Sequence, residues 1–507
     1  MTGRRSSWQG GGTGPGRRVA LMAVIGEGWP DRAEWAGRIF SAGWRESDGG
    51  TRPVIEPATG DTLADVGIAS PADVARAGVR AAAAAGEWAA AAPSDRVAVL
   101  LRASGVLRDR SDTFREWIVR ESAGVPAKGD YEIAAALAQL AHAVGLASLP
   151  RGEVLAPQAP GGTSLAWRVP LGVVGVINPW NAPLLFAVRA LAPALALGNT
   201  VLLKPDPLTP VSGGVLVARL FEDAGLPDGV LHVLPGGADT GQAVAADPHV
   251  AMIAFTGSTA AGRAVARVAG EGLKRVLLEL GGKNSLVVLE DADVEAAALA
   301  GAVSTFGYQG QACVAAGRHL VHTDLVEAYT DALVRHALAM RVGDPREEGV
   351  GIGPVISVGQ ATRVERIVDE SVAAGARVLT GGRREGLFYP PTVLDRVDRA
   401  MPAYTEEIFG PVAPVLPFRS EAEAVEIAND TAYGLAAAVH SGSVPRATAV
   451  AGQLRTGMVH INDVCAKDAA NAPFGGMGVS GNGSRIGGTA SLEQFTQWRW
   501  MTAPGPS

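Results

Sequence analysis

Gly172-Val173-Val174-Gly175-Val176-Ile177-Asn178-Pro179 is the stretch that decides the fold. Its β-branched centre reads as a short strand, and Asn178-Pro179 ends it. Outward from it the pattern alternates. Residues 184–197 read as a helix stopped by Gly198-Asn199, 200–203 as a strand, and 210–224 as a helix closed by Gly225. Then come a strand at 230–233, a helix near 239–246, a strand at 252–255, a helix at 258–269 and a strand at 276–278. Such alternation implies a parallel sheet covered by helices, hence the α/β class.

A second alternating block begins at 284. It runs through strands at 285–289 and 319–322, helices at 294–306, 325–340 and 359–375, and a short strand at 378–379. Helix 421–429, strand 436–440, helix 445–454 and strand 458–461 complete it. Ahead of both blocks, residues 72–148 read as Ala-rich helix. The chain of 507 residues is too long for one core, and two α/β domains are expected.

Composition narrows the function. A net charge of −7 without a basic stripe argues against a nucleic-acid partner. The Ala-rich runs are broken by charges or Pro, so no membrane span is expected. The two cysteines, Cys313 and Cys465, exclude a disulfide framework and fit a reducing, cytoplasmic setting. Arg4, Arg5, Arg17 and Arg18 precede a short apolar run at 19–25 that Gly26-Glu27-Gly28 ends. Residues 1–30 are therefore read as a disordered extension or a misplaced start rather than a signal peptide. No metal is expected: His232, His249, His319, His322, His440 and His460 are scattered, and His319 and His322 face opposite sides of a strand.

Four segments carry candidate chemistry. Phe306-Gly307-Tyr308-Gln309-Gly310-Gln311-Ala312-Cys313 gives a cysteine room and nearby backbone N–H groups. A lone cysteine is more commonly a small buried apolar residue. Leu278-Glu279-Leu280-Gly281-Gly282-Lys283-Asn284 places a carboxylate at a strand end beside the domain junction, as a proton acceptor or a merely solvated Glu. Thr256-Gly257-Ser258 opens a helix, either as an ordinary cap or as a pyrophosphate seat. Lys204 ends a strand and can reach a ribose or a phosphate, or sit in water. Gly476-Met477-Gly478-Val479-Ser480-Gly481 matches the dinucleotide fingerprint in letters only, with no strand before it and no helix after it. It reads as a flexible or closely packed loop.

Taken together, these blocks resemble the aldehyde dehydrogenase superfamily over about residues 35–500, in family order. Segments 168–177, 230–239 and 457–463 resemble its benzaldehyde, aromatic-degrading branch in particular. The resemblance implies Cys313 as nucleophile, Glu279 as general base and Asn181, after Pro179-Trp180, as oxyanion donor. It implies NAD held by Ile177, Trp180, Lys204, Gly257, Ser258, Glu407 and Phe409, without a glycine fingerprint. It also implies a substrate tunnel bordered by Ala182, Phe186, Arg189, Ala312 and Val314. The reaction implied runs from a thiohemiacetal, through hydride loss, to a thioester that water hydrolyses. The small-molecule substrate is expected to be an aromatic aldehyde.

By the same resemblance, 31–156 together with 171–279 form the dinucleotide-binding domain and 280–466 the catalytic domain. Segments 157–170 and 467–507 form a small β oligomerisation element and tail, giving a homodimer or homotetramer. Pro207 stands where many members carry a ribose-binding Glu, which leaves NADP open, and Ala182 stands where many carry Phe. Arg189 favours a polar ring substituent or pairs with an acidic neighbour. Two alternatives are release of the acyl group to coenzyme A or phosphate, against which Glu279 argues, and a catalytically silent binding protein on this fold.

Overall fold

The computed structural model describes residues 28–505, so all but the last three residues of the extension read at 1–30 lie outside the described residues; those three do not fit that reading, because Trp29 packs on Phe114 and donates to Asp223 at 2.6 Å. Two seven-stranded sheets dominate. The first runs Arg275–Glu279, Val250–Thr256, Val173–Ile177, Thr200–Lys204, Leu231–Val233, Arg38–Ser41, Trp44–Glu46. Its first five strands are parallel, and the last two are antiparallel additions. The second runs Arg377–Thr380, Thr392–Asp395, Val412–Phe418, Ala316–His322, Asn284–Val288, Ala436–His440, Met458–Ile461, antiparallel only at its first pair. The α/β class with two parallel-type sheets is thus the architecture adopted.

The central strands are buried on both faces, which is why they read as unbroken apolar runs rather than alternating ones. The helix Pro183–Ala196 is buried along its whole length, and Arg189 is its one charged residue. Its first turn is held by a distant carboxylate: Glu132 accepts from the Leu184 and Leu185 N–H groups at 3.2 and 3.4 Å. Replacing a fully buried leucine of this helix, such as Leu191, by alanine would cost about 2–5 kcal/mol.

Several elements differ from the sequence reading. The segment 210–224 is not one regular helix. Its first turn, Val211–Val215, is wound with i to i+5 bonds, and the α-helix starts at Leu216. Buried Glu121 accepts from the Val211 and Ser212 N–H groups at 2.8 and 2.6 Å, which holds that widened turn. A third sheet of Thr496–Ala503, Thr163–Pro170 and Gly152–Leu155 begins at 152 rather than 157. Residues 468–495 do not continue this arm but return to the junction between the large sheets. There Gly481 bridges Glu279, and Leu280 N–H donates to the Ser480 carbonyl at 3.0 Å. The fingerprint-like glycines lie in this return: a Cβ on Gly476 would meet Ser480, and one on Gly478 would meet the Ala432 carbonyl. Close packing, not a dinucleotide turn, explains them.

Candidate active site

The carboxyl ends of the first sheet's strands bring the candidates together. Ile177 lies in register between Phe255 and Lys204, and Thr256 lies beside Glu279. This edge faces the second sheet across a cleft of about 680 Å3 counted to its open mouth. Its wall includes Trp180, Asn181, Phe186, Gly257, Ser258, Glu279, Cys313, Glu407 and Phe409. Residues far apart in sequence therefore share one concavity at the junction of two sheets, the usual place for a ligand in α/β folds.

Cys313 sits on a constrained loop. Tyr308 and Gln309 both take left-handed backbone angles, φ 55° each, a costly conformation for non-glycine residues. Side chains fix it in place. Gln309 donates to the Pro354 carbonyl at 3.1 Å, and Gln311 accepts from Ile356 N–H at 3.0 Å. Asn284 donates to the carbonyls of Cys313 and Ala315 at 2.8 and 2.7 Å. Asn181 donates to the Gln311 carbonyl at 2.9 Å, which spends one of its two amide hydrogens and orients the other. The thiol is half-buried, and burial followed by the charge of Glu407 pushes it up to about 12. It is a thiol, not a thiolate, at neutral pH.

Glu279 is 4% exposed, and neither carboxylate oxygen has a hydrogen-bond partner. Burial lifts its pKa well above the usual carboxylate range, opposed by the nearby charges of Arg189 and Arg485. A carboxyl so placed holds a proton more tightly than an ordinary glutamate does, and is the stronger base when ionised. Glu279 and Phe186 also line a small adjoining cavity that holds Ile177 and Arg189.

The remaining wall suits a dinucleotide. The helix Thr259–Glu271 points its N-terminus into the cleft and is capped by Ser258, which accepts from Ala261 N–H at 3.3 Å. Glu407 accepts from Gly282 N–H at 2.9 Å and fills the space where a side chain on Gly281 would stand. Trp180 and Phe409 meet edge to face at 5.4 Å and form an aromatic wall. Lys204 is buried at the strand end, and the charges of Asp206 and Asp239 reach it. The wall thus offers an open helix N-terminus, a carboxylate and an aromatic pair in one cleft.

The other expected residues sit close by. Ala182 packs with Leu185, Phe186 and Ala135, and Ala312 and Val314 flank Cys313 half-buried. Arg189 does pair with an acidic neighbour, Asp468. The sequence reading missed Gln360 and Arg363, which also line the cleft. They donate to the Phe409 and Glu407 carbonyls at 2.7 Å each and so clamp that loop. Both lie on the helix Val358–Ala373, where a polar face carries no local signal of a site.

Comparison with known proteins follows the same lines. Residues 44–501 match the family model described as the aldehyde dehydrogenase family. The chain is 50% identical over 476 residues to a vanillin dehydrogenase of Amycolatopsis sp., covering 94% of this chain and 98% of that one. It is 48% identical over 468 residues to the benzaldehyde dehydrogenase [NAD(+)] of Pseudomonas putida, covering 92% and 96%. Among solved structures, betaine aldehyde dehydrogenase of Staphylococcus aureus in complex with NAD+ aligns with a TM-score of 0.90 at 30% identity, covering 93% of this chain and 95% of that one. Similarity of this depth along nearly the whole chain means that the protein belongs to the aldehyde dehydrogenase family and is an oxidoreductase of the aldehyde group.

Proposed function

We propose that the protein oxidises aromatic aldehydes to carboxylic acids with NAD, using Cys313 as nucleophile, Glu279 as general base and Asn181 as oxyanion donor. The observation that carries this reading is the meeting of Cys313, Asn181 and unpartnered Glu279 in one cleft with a helix N-terminus and Glu407. The aromatic substrate class is drawn from the similarity to vanillin and benzaldehyde dehydrogenases.

Each residue has a defined task. The Cys313 thiol gives up its proton as its sulfur bonds the aldehyde carbon, and Glu279 is the acceptor on the same wall. Charge that develops on the carbonyl oxygen falls to the free Asn181 N–H and the Cys313 backbone N–H. When bound, NAD accepts the hydride. Cys313 then carries a thioester, and Glu279, having passed the thiol's proton on to solvent, takes a proton from the water that hydrolyses it, so that the acid leaves and the Cys313 thiol is restored. Burial of Glu279 matters here, because a carboxylate of ordinary acidity is a weak base for water.

On the cofactor wall, Lys204 and the helix N-terminus at Ser258 hold the adenosine and pyrophosphate, and Glu407 the nicotinamide ribose. Asp206, whose charge reaches Lys204, opposes a 2′-phosphate and favours NAD over NADP. The first sheet, with its flanking helices, serves as the dinucleotide-binding domain and the second as the catalytic domain.

The protein acts in the cytoplasm as a homodimer or homotetramer. The three-stranded sheet supports an oligomer, because Val154, Trp498, Trp500 and Met501 stand exposed on it. Among the described residues no helix is long and apolar enough to cross a membrane.

The test is a comparison of initial rates with benzaldehyde, substituted benzaldehydes and short aliphatic aldehydes, each with NAD and with NADP. Aromatic substrates with NAD should give the highest kcat/KM, and the acid should form without added coenzyme A or phosphate. A preference for aliphatic aldehydes, or a need for an acyl acceptor, would refute the proposal.

A further inference from the structure

A buried carboxyl without hydrogen bonds ionises only where a positive charge stands near it. Glu279 is such a carboxyl: it is buried, and neither oxygen has a partner. The groups that face it come from three elements. Cys313 faces it from the nucleophile loop, Arg189 from the helix Pro183–Ala196, and Asp468 and Arg485 from the return of residues 468–495. Two of these oppose each other. Arg189 and Asp468 form a buried pair, and their charges act on Glu279 in opposite directions. Arg485 has no such neutralising partner. Its Nη1 donates to the carbonyls of Gly476 and Ser484 at 2.9 Å each, and among the described residues it joins no ion pair. It brings an uncancelled positive charge to the end of the Glu279 strand.

Local packing fixes Arg485 beside Glu279. The return runs along the strand Arg275–Glu279. Asn482 Nδ2 donates to the Val276 carbonyl at 2.8 Å, Leu278 N–H donates to Ser484 Oγ at 3.2 Å, and Leu280 N–H donates to the Ser480 carbonyl at 3.0 Å. These bonds hold Ser484 against the strand that carries the base, and Arg485 follows it. Gly475 completes the approach. A Cβ there would lie 2.8 Å from Glu279 Oε1 and 2.7 Å from Arg485 Cδ. Its φ of 150° is also a conformation that other residues rarely adopt. Only glycine leaves room for the carboxyl and the arginine stem to meet there. The guanidinium extends to Gly457, where a Cβ would stand 3.3 Å from Nη2.

We propose that Arg485 is the counter-charge of the general base, a positioning residue that lets buried Glu279 carry its negative charge between proton transfers. This rests on the reading of Glu279 as the base. Each transfer leaves Glu279 neutral, with the proton of the Cys313 thiol or of water bound to a carboxyl oxygen. That O–H bond must break again, and the proton must pass to solvent, before the base can act a second time. In purely apolar surroundings the neutral form would persist and turnover would stop. Arg485 favours the carboxylate through space, with its N–H groups directed to backbone carbonyls. Both oxygens of Glu279 thus stay open to the thiol or to water. A direct two-pronged bond from the guanidinium would occupy them and make the base weaker.

The experiment measures kcat against pH, at saturating NAD and benzaldehyde, for wild type, Arg485→Gln and Arg485→Lys, with Glu279→Gln in parallel. Loss of the charge in Arg485→Gln should move the acid limb up by about one pH unit, so that turnover on that limb falls roughly tenfold at a fixed pH. The plateau at high pH and the KM for NAD should stay close to wild type. Arg485→Lys keeps the charge and should leave the limb where wild type has it. An arginine with a merely structural role would lower turnover at every pH alike. An unmoved limb in folded Arg485→Gln, or a shift in Arg485→Lys as large as in Arg485→Gln, would overturn the proposal. If circular dichroism shows that Arg485→Gln does not fold, Arg485→Met, which keeps the apolar stem against Gly475, decides by the same limb. Normal turnover by Glu279→Gln would defeat the base reading itself; a stalled Glu279→Gln beside an unmoved limb in Arg485→Gln defeats only the role of Arg485.

Discussion

Alkylation of Cys313 in the cofactor-free protein reports directly on the electrostatics of the cleft. Burial and the charge of Glu407 carry the thiol from an ordinary 9.0 up to about 12. At pH 8 ionising it costs about 5 kcal/mol, at ~1.36 kcal/mol per pH unit. So raised, the thiol holds roughly a thousandfold less thiolate than an ordinary cysteine does at the same pH. The more basic thiolate is the better nucleophile, and a Brønsted slope of about 0.4–0.5 returns roughly 15- to 30-fold of that loss. Cys313 should therefore react with iodoacetamide about 30- to 60-fold more slowly than an open thiol at pH 8. Its rate should keep rising with pH beyond pH 10, and Glu407→Gln should speed it. Timed quenching followed by peptide mass spectrometry gives the rate, and fully buried Cys465 serves as an unlabelled control in the same digest. A plateau at or below pH 9, or a rate matching an open thiol, would refute this account of the site.

Two further perturbations test other parts of the cleft. Glu279→Gln should lower kcat by roughly 10²–10⁴ and accumulate an acyl-enzyme visible by intact mass; normal turnover with no adduct would remove Glu279 from its role. Because the base works ionised and its pKa is raised well above 4.5, wild-type kcat should fall on the acid side at a pH well above the ordinary glutamate range, and an acid limb no higher than that range would contradict it. Gly281→Ala places a methyl group where the Glu407 carboxylate sits, so KM for NAD should rise about tenfold, the cost of one charged hydrogen bond; an unaltered KM would show that Glu407 does not hold the cofactor.

How legible the fold was depended on burial. The strands Val173–Ile177 and Thr200–Lys204 are enclosed on both faces, so their β-branched runs stood out. The pair Thr51–Ile55 and Thr62–Gly67 is partly exposed and lacks such a run, and it went unread. Val412–Phe418 was hidden for a different reason. Pro414 and Pro417 lie within a strand paired on both sides, where proline ordinarily argues against a strand. At the site, glycine-flanked Cys313 and Glu279 were visible because close backbone packing leaves a local signature. Asp468 was not, because its meaning comes entirely from Arg189, 279 residues away. The widened turn at Val211–Val215 was equally silent, since it depends on Glu121, 90 residues earlier.

The return of residues 468–495 to the junction has a consequence for synthesis. Glu279 gains its backbone neighbours Gly481 and Ser480, and Arg189 its counter-ion, only from this last portion of the chain. A nascent polypeptide still emerging from the ribosome thus carries Cys313 without a finished pocket around it. Shortened chains that stop before residue 468 lack the backbone that covers the Glu279 strand end and the carboxylate that neutralises Arg189.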